Sequence, residues 1–173
     1  MIWTHVLFIG LAGGFANMMP VLVQHVNLLA YPVDGGKKWR GKRILGENKT
    51  WRGLLSGILG GVIGMLVISF FLSLIGSAQL SLPAVIIGGA LIGIGTMLGD
   101  MLFSLVKRQV GIAPGKPFIP FDQLDWILGA WTCLGVVIGW SWQALLVLVM
   151  IFGPLHIAVN YAGYIFGLRK TKI

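Results

Sequence analysis

The chain is organised around residues 99–125, which read GDMLFSLVKRQVGIAPGKPFIPFDQLD. Three of the five acidic residues in the whole sequence fall in this stretch: Asp100, Asp122 and Asp125. Asp100 lies in an apolar run long enough to cross a membrane, where a carboxylate is costly unless it has a partner. On a helix, Ser104, Lys107 and Arg108 would project from the same side as Asp100. We therefore expect the three carboxylates to hold a divalent metal and a polyphosphate at the membrane face.

The composition around this stretch is that of a membrane protein. Hydrophobic residues make up 57% of the 173 positions and charged residues 10%, and the mean hydropathy is +0.90. Soluble domains carry about 25% charged residues. The length allows roughly four to six helices of about 20 residues each, and the strand alternation of a β-barrel is absent. The sequence predicts an all-α integral membrane protein, multi-pass in the cell membrane.

The apolar runs divide the chain into five predicted spans within one transmembrane domain, 1–173. We place the spans at about 3–29, 53–75, 83–106, 124–140 and 143–168, with polar loops at 31–52 and 107–123. Five spans put both loops and the C-terminal tail on one side, which then carries all 13 lysines and arginines. A four-span arrangement would divide them between two faces. The positive-inside rule favours five spans, with the N-terminus outside and the C-terminus cytoplasmic.

The net charge of +8 does not indicate nucleic-acid binding. The basic residues cluster beside apolar spans, where membrane topology and anionic lipid headgroups account for many of them. The one cysteine, Cys133, cannot form an internal disulfide and is typical of a small core residue. The sequence therefore predicts no nucleic-acid partner.

The first polar loop ends in residues 46–50, GENKT, directly before the second span. Glycine, amide, ammonium and hydroxyl groups at a helix start form an anion cradle. This segment is not a P-loop, because the GxxxxGK[ST] spacing is missing. The alternative is that the basic loop serves only as a positive-inside anchor.

Asp100 precedes Lys107 by seven residues, or roughly 10 Å along a helix, which places it near the interface. One interpretation is an internal ion pair of Asp100 with Lys107 or with a residue of the first loop. The other is a metal site, because Mg²⁺ typically uses one or two carboxylates together with substrate phosphates. Asp122 and Asp125 approach the same interface, which favours the metal site.

The same residues resemble a known family. Asp100, Ser104, Lys107 and Arg108 match the D-x-x-x-S-x-x-K-R core of the membrane cytidylyltransferases that make CDP-diacylglycerol. Where that family has His-Gly-Gly after a proline, this chain has residues 121–123, FDQ. The departure resembles the archaeal branch, the CDP-archaeol synthases, as does PVDGGKKWRGKRILGENKTWRG in the first loop.

The resemblance implies a CTP-dependent nucleotidyltransferase of phospholipid biosynthesis, with Mg²⁺ as cofactor. CTP would react with an archaeal ether phosphatidic acid, 2,3-bis-O-geranylgeranylglycerol 1-phosphate, to give CDP-archaeol and pyrophosphate. The implied metal ligands are Asp100 and Asp125, and the implied catalytic residues are these two with Lys107 and Arg108. The implied substrate-binding residues are Arg43, Asn48, Lys49, Thr50, Arg52, Ser104, Lys116, Asp122 and Gln123.

Two other classes of function remain open from the sequence. A CTP-dependent lipid kinase of the polyprenol or phytol type would use similar loops but transfer the γ-phosphoryl group. A small non-enzymatic transporter or assembly protein could also carry a buried acid and basic loops. No inverted repeat supports a transporter. Recurring glycines leave a homodimer open, since they allow close packing within or between chains.

Overall fold

The computed structural model describes residues 2–76 and 80–168. Its elements, in chain order, are α1 (Ile2–Leu7), a π-helical segment (Phe8–Gly13), α2 (Gly14–Leu22), β1 (Lys38–Trp39), β2 (Lys42–Arg43), α3 (Trp51–Leu74), α4 (Leu82–Gln109), α5 (Phe121–Ile138) and α6 (Trp142–Ile165). The first three helical segments together form one span, Ile2–Leu22. With α3 to α6, the described chain has five helices long and apolar enough to cross a membrane, which confirms the predicted architecture.

Two predicted boundaries are wrong. The first span ends at Leu22 and not near residue 29, because the polar residues after it join the loop: the Gln24 side chain donates to the Leu168 carbonyl at 2.9 Å. The second loop is shorter than predicted, because α4 continues to Gln109 and α5 already begins at Phe121. The basic tail, 169–172, lies outside the described residues.

Three of the spans begin at a side-chain cap. Thr50, Ser81 and Ser141 each accept a hydrogen bond from the backbone N–H three residues later, at 3.2, 3.4 and 3.2 Å. Such a cap satisfies one of the donors that a helix start leaves unbonded. The helix starts are therefore encoded locally.

Glycines set how closely the central helices approach. Between α3 and α4, a Cβ added at Gly61 would meet the backbone of Gly89 and Gly93. Between α4 and α5, a Cβ at Gly129 would overlap the Gly95 carbonyl, and one at Gly99 would overlap the carbonyl of the residue 125 peptide. Small residues allow this backbone contact in membranes. The contact between α4 and α5 matters most for the site, because it lies beside Asp125.

We predict that Gly129→Ala destabilises the bundle by about 1–3 kcal/mol, because an added methyl group overpacks the contact between α4 and α5. The same displacement should lower activity, since both helices carry site residues. The measurement is thermal unfolding in detergent, together with turnover. Gly153→Ala is the matched control, because an added Cβ there meets nothing within 4 Å. We expect its unfolding temperature to stay the same or to rise slightly, since alanine favours a helix more than glycine does. Equal losses in both variants would contradict the prediction.

Candidate active site

The first polar loop and α4 meet at one end of the bundle through an ion pair. Lys49 Nζ, in the first loop, lies 2.5 Å from Asp100 Oδ2 on α4. Both side chains are partly buried, with about a quarter or less of their surface exposed. Of the two interpretations from sequence, the structure shows that Asp100 does form an ion pair, and its partner comes from the first loop. This pair ties the GENKT segment to the buried carboxylate.

Asp125 lies on the first turns of α5 and is 5% exposed. Its Oδ1 accepts the backbone N–H of Trp126 at 2.6 Å, and the carboxylate is close enough to Asp100 and Lys49 to interact electrostatically with both. The close approach of Gly99 to the backbone at position 125 brings the helices carrying the two carboxylates together. The structure therefore places Asp100 and Asp125 on two closely packed helices, within electrostatic range of each other.

Asp122 has a different environment. Both of its carboxylate oxygens accept from Lys107 Nζ, at 2.9 and 2.8 Å, and Oδ2 also accepts the backbone N–H of Phe118 at 2.8 Å. These contacts fix the loop between α4 and α5. Asp122 thus acts as a structural partner of Lys107, and its oxygens are already occupied.

The three carboxylates consequently do not form a ready-made metal cage. The described residues contain no group of three or more histidine, cysteine or acidic side chains that could hold a metal ion. The donor set that remains is the Asp100–Asp125 pair. A pair fits Mg²⁺, which commonly takes one or two protein carboxylates and completes its shell with water and substrate phosphates.

A buried cation with atoms left unbonded by the described residues lies two helical turns beyond Asp100 on α4, within electrostatic range of Asp122. Arg108 is 8% exposed, and its Nε and Nη1 have no hydrogen-bond partner within residues 2–76 and 80–168. The same holds for Oε1 of Gln123, and Ser104 is buried with them. A buried guanidinium is costly unless it is bonded, and its planar fork matches phosphate oxygens. This arrangement suits an anion.

The first loop is built around Asp34, a residue to which the sequence assigned no role. Its carboxylate accepts from the backbone N–H groups of Gly36, Leu45 and Gly46 at 3.0, 3.0 and 3.3 Å, and from Arg43 at 3.0 Å. The side chain is 1% exposed. Burial alone would raise the pKa of Asp34, but these hydrogen bonds lower it from 3.8 to about 2. The Asp-Gly-Gly sequence is the signal, because aspartate before glycine favours a local turn.

Asp34→Asn should loosen this loop. Because the folded-state pKa lies below the ordinary 3.8, the charged form stabilises the fold fully above about pH 4, and this stabilisation is lost as the pH falls toward 2. A shift to about 2 corresponds to about 2 kcal/mol. We expect faster hydrogen exchange at the Leu45 and Gly46 amides in the variant at neutral pH.

The matched control for this variant is Glu47→Gln. Glu47 is in the same loop, with 82% of its side chain exposed and its carboxylate 3.8 Å from Arg43. Exposed pairs contribute little to stability, so exchange at the loop amides should stay at the wild-type rate. If Asp34→Asn also left exchange at the wild-type rate, the hydrogen bonds to Asp34 would not be what holds the loop.

The other substrate-binding residues predicted from sequence fall into two groups. Some have structural partners: Arg43 bonds Asp34, the Thr50 hydroxyl caps α3, and an Arg52 guanidinium nitrogen donates to the Val26 carbonyl. Asn48 and Lys116 are exposed on the loops. The loops themselves are joined, because Lys42 Nζ donates to the Gln109 carbonyl at 2.5 Å. The structure thus gathers all these residues at one end of the bundle.

Comparison with known proteins gives one consistent result. The family model described as CarS-like, CDP-archaeol synthase, matches residues 2–172. A CDP-archaeol synthase from Thermococcus gammatolerans is 36% identical over 91% of this chain and 88% of its own. A CDP-archaeol synthase from Halorubrum lacusprofundi is 34% identical, over 92% of this chain and 95% of that protein.

A solved structure is also similar. It was described as structural insight into an intramembrane enzyme for archaeal membrane lipids biosynthesis. It matches with a TM-score of 0.73 and 30% identity, over 89% of this chain and 91% of that chain. Sequence, family model and architecture therefore agree that this chain is a multi-pass membrane enzyme belonging to the CDP-archaeol synthase family.

Proposed function

We propose that this enzyme transfers the cytidylyl group of CTP to 2,3-bis-O-geranylgeranylglycerol 1-phosphate, releasing pyrophosphate. The observation that carries the proposal is that groups suited to a metal ion and a group suited to phosphate lie at the same end of the bundle. The carboxylates of Asp100 on α4 and Asp125 on α5 interact electrostatically, and the buried, incompletely bonded guanidinium of Arg108 lies two turns further along α4. Carboxylates suit a hard cation and the guanidinium suits phosphate, which together are the chemistry of a metal–nucleotide complex.

In this proposal an oxygen of the lipid phosphate attacks the α-phosphorus of CTP, and the bond to the pyrophosphate oxygen breaks in line. A phosphate monoester is ionised at neutral pH, so the protein does not need to supply a nucleophile. The protein's contribution is to position the two phosphates and to offset their repulsion. Arg108, with nitrogens that are unbonded in the described chain, is suited to the phosphates, and Lys107 would contact them while it stays paired with Asp122.

Asp100 and Asp125 would hold the Mg²⁺ ion. The metal supplies charge neutralisation on the phosphate oxygens when it is bound. Lys49 forms an ion pair with Asp100 at 2.5 Å. When Mg²⁺ binds Asp100 instead, we expect the Lys49 ammonium to turn toward the nucleotide. Asn48 is exposed on the same segment and is suited to the nucleoside.

The basic end of the bundle would face the cytoplasm, where CTP is available. Every lysine and arginine that the structure describes belongs to the loops and helix ends at this end: Lys37, Lys38, Arg40, Lys42, Arg43, Lys49, Arg52, Lys107, Arg108 and Lys116. The positive-inside rule then places the N-terminus outside.

The direct test incubates purified protein with labelled CTP, Mg²⁺ and the geranylgeranyl ether phosphatidic acid. We expect a CDP-lipid and pyrophosphate in equal amounts, both abolished by EDTA. Formation of CDP with a phosphorylated lipid would instead identify a CTP-dependent kinase. A CDP-lipid that forms equally well in EDTA would refute the metal part of the proposal.

A further inference from the structure

A second group of polar side chains lies deeper in the bundle than the Asp100–Asp125 pair. We call it the inner polar cluster, and it consists of Asn17, Thr96, Trp126 and His156. Thr96 precedes Asp100 by one helical turn on α4, which is about 6 Å of rise. A Cβ added at Gly13 would lie 3.1 Å from the Trp126 ring and 3.4 Å from Thr96 Oγ1. Thr96 and Trp126 therefore face the same point of the first span.

Two atoms of this cluster are buried and unbonded. Thr96 is 0% exposed and Trp126 is 2% exposed. Neither Thr96 Oγ1 nor Trp126 Nε1 has a hydrogen-bond partner in the described chain. An unsatisfied buried polar group costs about 1–3 kcal/mol, and both of these groups can donate. Two such donors near the proposed metal-binding carboxylates indicate that a ligand supplies the missing hydrogen-bond acceptors.

The other two members link the cluster to the side of the bundle that faces lipid. Asn17 Nδ2 lies 3.4 Å from His156 Nδ1, which joins α2 to α6. The His156 ring stacks on Trp126, with centroids 6.4 Å apart and planes inclined at 28°. Beyond Gly153, α6 has no buried residue up to its end at Ile165. The cluster therefore borders the line where α2 meets the second half of α6, a half in which no residue is buried.

We propose that the inner polar cluster binds the glycerol ether oxygens of the lipid acceptor, which enters between α2 and α6. Ether oxygens only accept hydrogen bonds, and Thr96 Oγ1 and Trp126 Nε1 are the donors that lack an acceptor. No lysine or arginine belongs to the cluster, so it is unsuited to a phosphate. This inference deepens the proposed cytidylyl transfer and rests on it for the identity of the lipid.

The depth of the cluster agrees with this assignment. The lipid phosphate must reach the Asp100–Asp125 pair, and its glycerol oxygens lie roughly one helical turn, about 5 Å, further into the membrane. Thr96 is displaced from Asp100 by that interval along α4. The glycerol oxygens would then meet buried donors while the isoprenoid chains leave sideways into the bilayer.

Two substitutions remove the donors: Thr96→Val keeps the shape of the side chain, and Trp126→Phe keeps an aromatic ring but is smaller and leaves a cavity in the core. The primary measurement is the Kd of purified protein for labelled geranylgeranyl ether phosphatidic acid without CTP, alongside the Kd for CTP. We expect each change to weaken lipid binding about fivefold, the ordinary effect of one hydrogen bond. The double variant should weaken it about tenfold or more, with CTP binding within twofold of the wild type.

Stability separates this role from a structural one. Thr96→Val should not lower the unfolding temperature of the lipid-free protein, because it removes an unbonded hydroxyl. Thr132→Val is the matched control on α5: the Thr132 hydroxyl donates to the Leu128 carbonyl at 2.7 Å on the exposed face, so neither Kd should change. Unchanged lipid binding in the double variant, or equal weakening of lipid and CTP, would overturn the inference.

The outcome is distinguishable from failure of the proposed function. Lipid binding that depends on Thr96 and Trp126 in a protein that forms no CDP-lipid would support the binding site and refute cytidylyl transfer. CDP-lipid formation with lipid binding indifferent to both substitutions would support the transfer and refute the binding site.

Discussion

Asp100→Asn is expected to reduce CDP-lipid formation by at least about a hundredfold, the scale on which loss of one electrostatic group slows a charged transition state. The carboxylate has two roles that an amide cannot fill: it would hold the metal, and it pairs with Lys49 at 2.5 Å. An amide is neutral, so the attraction to both cations disappears. The loss should be chiefly in kcat, because in the proposed complex other basic groups would also hold CTP.

The measurement is turnover of detergent-purified variant over a range of Mg²⁺ concentrations, with unfolding followed in parallel. Asp100 is partly exposed, so its removal should alter the unfolding temperature only slightly. Glu47→Gln removes the same charge from an exposed position and should retain wild-type turnover. A folded Asp100→Asn protein that turned over like the wild type would exclude Asp100 as a metal ligand.

The five-span fold follows from the sequence because each span is a long apolar run and the basic residues lie between alternate runs. The first boundary failed for a specific physical reason. Gln24 and the residues after it are polar enough to leave the helix, yet they lie close enough to the apolar run to be counted with it. Their actual partners, such as the Leu168 carbonyl, are far away in sequence and cannot be read from local composition.

Glycine spacing showed that helices would approach closely, but not which helices. The pairing of Gly95 and Gly99 with Gly129 depends on the three-dimensional order of the bundle. The spacing of these glycines would be the same whether the partner helix belonged to the same chain or to a second copy. This close contact explains how residues 25 apart in sequence, Asp100 and Asp125, become neighbours.

The sequence indicated which residue types the candidate site contains, but not which side chains form ion pairs with one another. Three acids near one interface indicated a site, yet Asp122 bonds Lys107, and Lys49 bonds Asp100. These pairings are decided by loop conformation. That conformation depends on Asp34, whose partners Leu45 and Gly46 are 11 and 12 residues away. A sequence pattern cannot show such non-local hydrogen bonds.

Asp125→Asn should also reduce turnover by at least about a hundredfold, but without the loss of stability expected when Asp34 is neutralised. Asp125 is 5% exposed and lies beside another carboxylate. Its only hydrogen bond from the described residues is the one from its neighbour's backbone N–H, Trp126. A buried carboxylate with one hydrogen bond and a like charge nearby destabilises the fold when it is ionised, so replacing it by a neutral amide should keep or raise the unfolding temperature while removing the proposed metal ligand.

This combination separates a functional carboxylate from a structural one. Neutralising a structural carboxylate, such as Asp34 with its four partners, lowers the stability of the protein. Neutralising a carboxylate that is buried for metal binding and not for stability leaves the protein as stable or more stable. The measurement compares thermal unfolding of wild type and Asp125→Asn, each with and without Mg²⁺ and CTP. We expect Mg²⁺ with CTP to raise the unfolding temperature of the wild type and to leave that of the variant unchanged. A variant that is less stable alone and still stabilised by Mg²⁺ with CTP would show that Asp125 supports the fold and does not hold the metal.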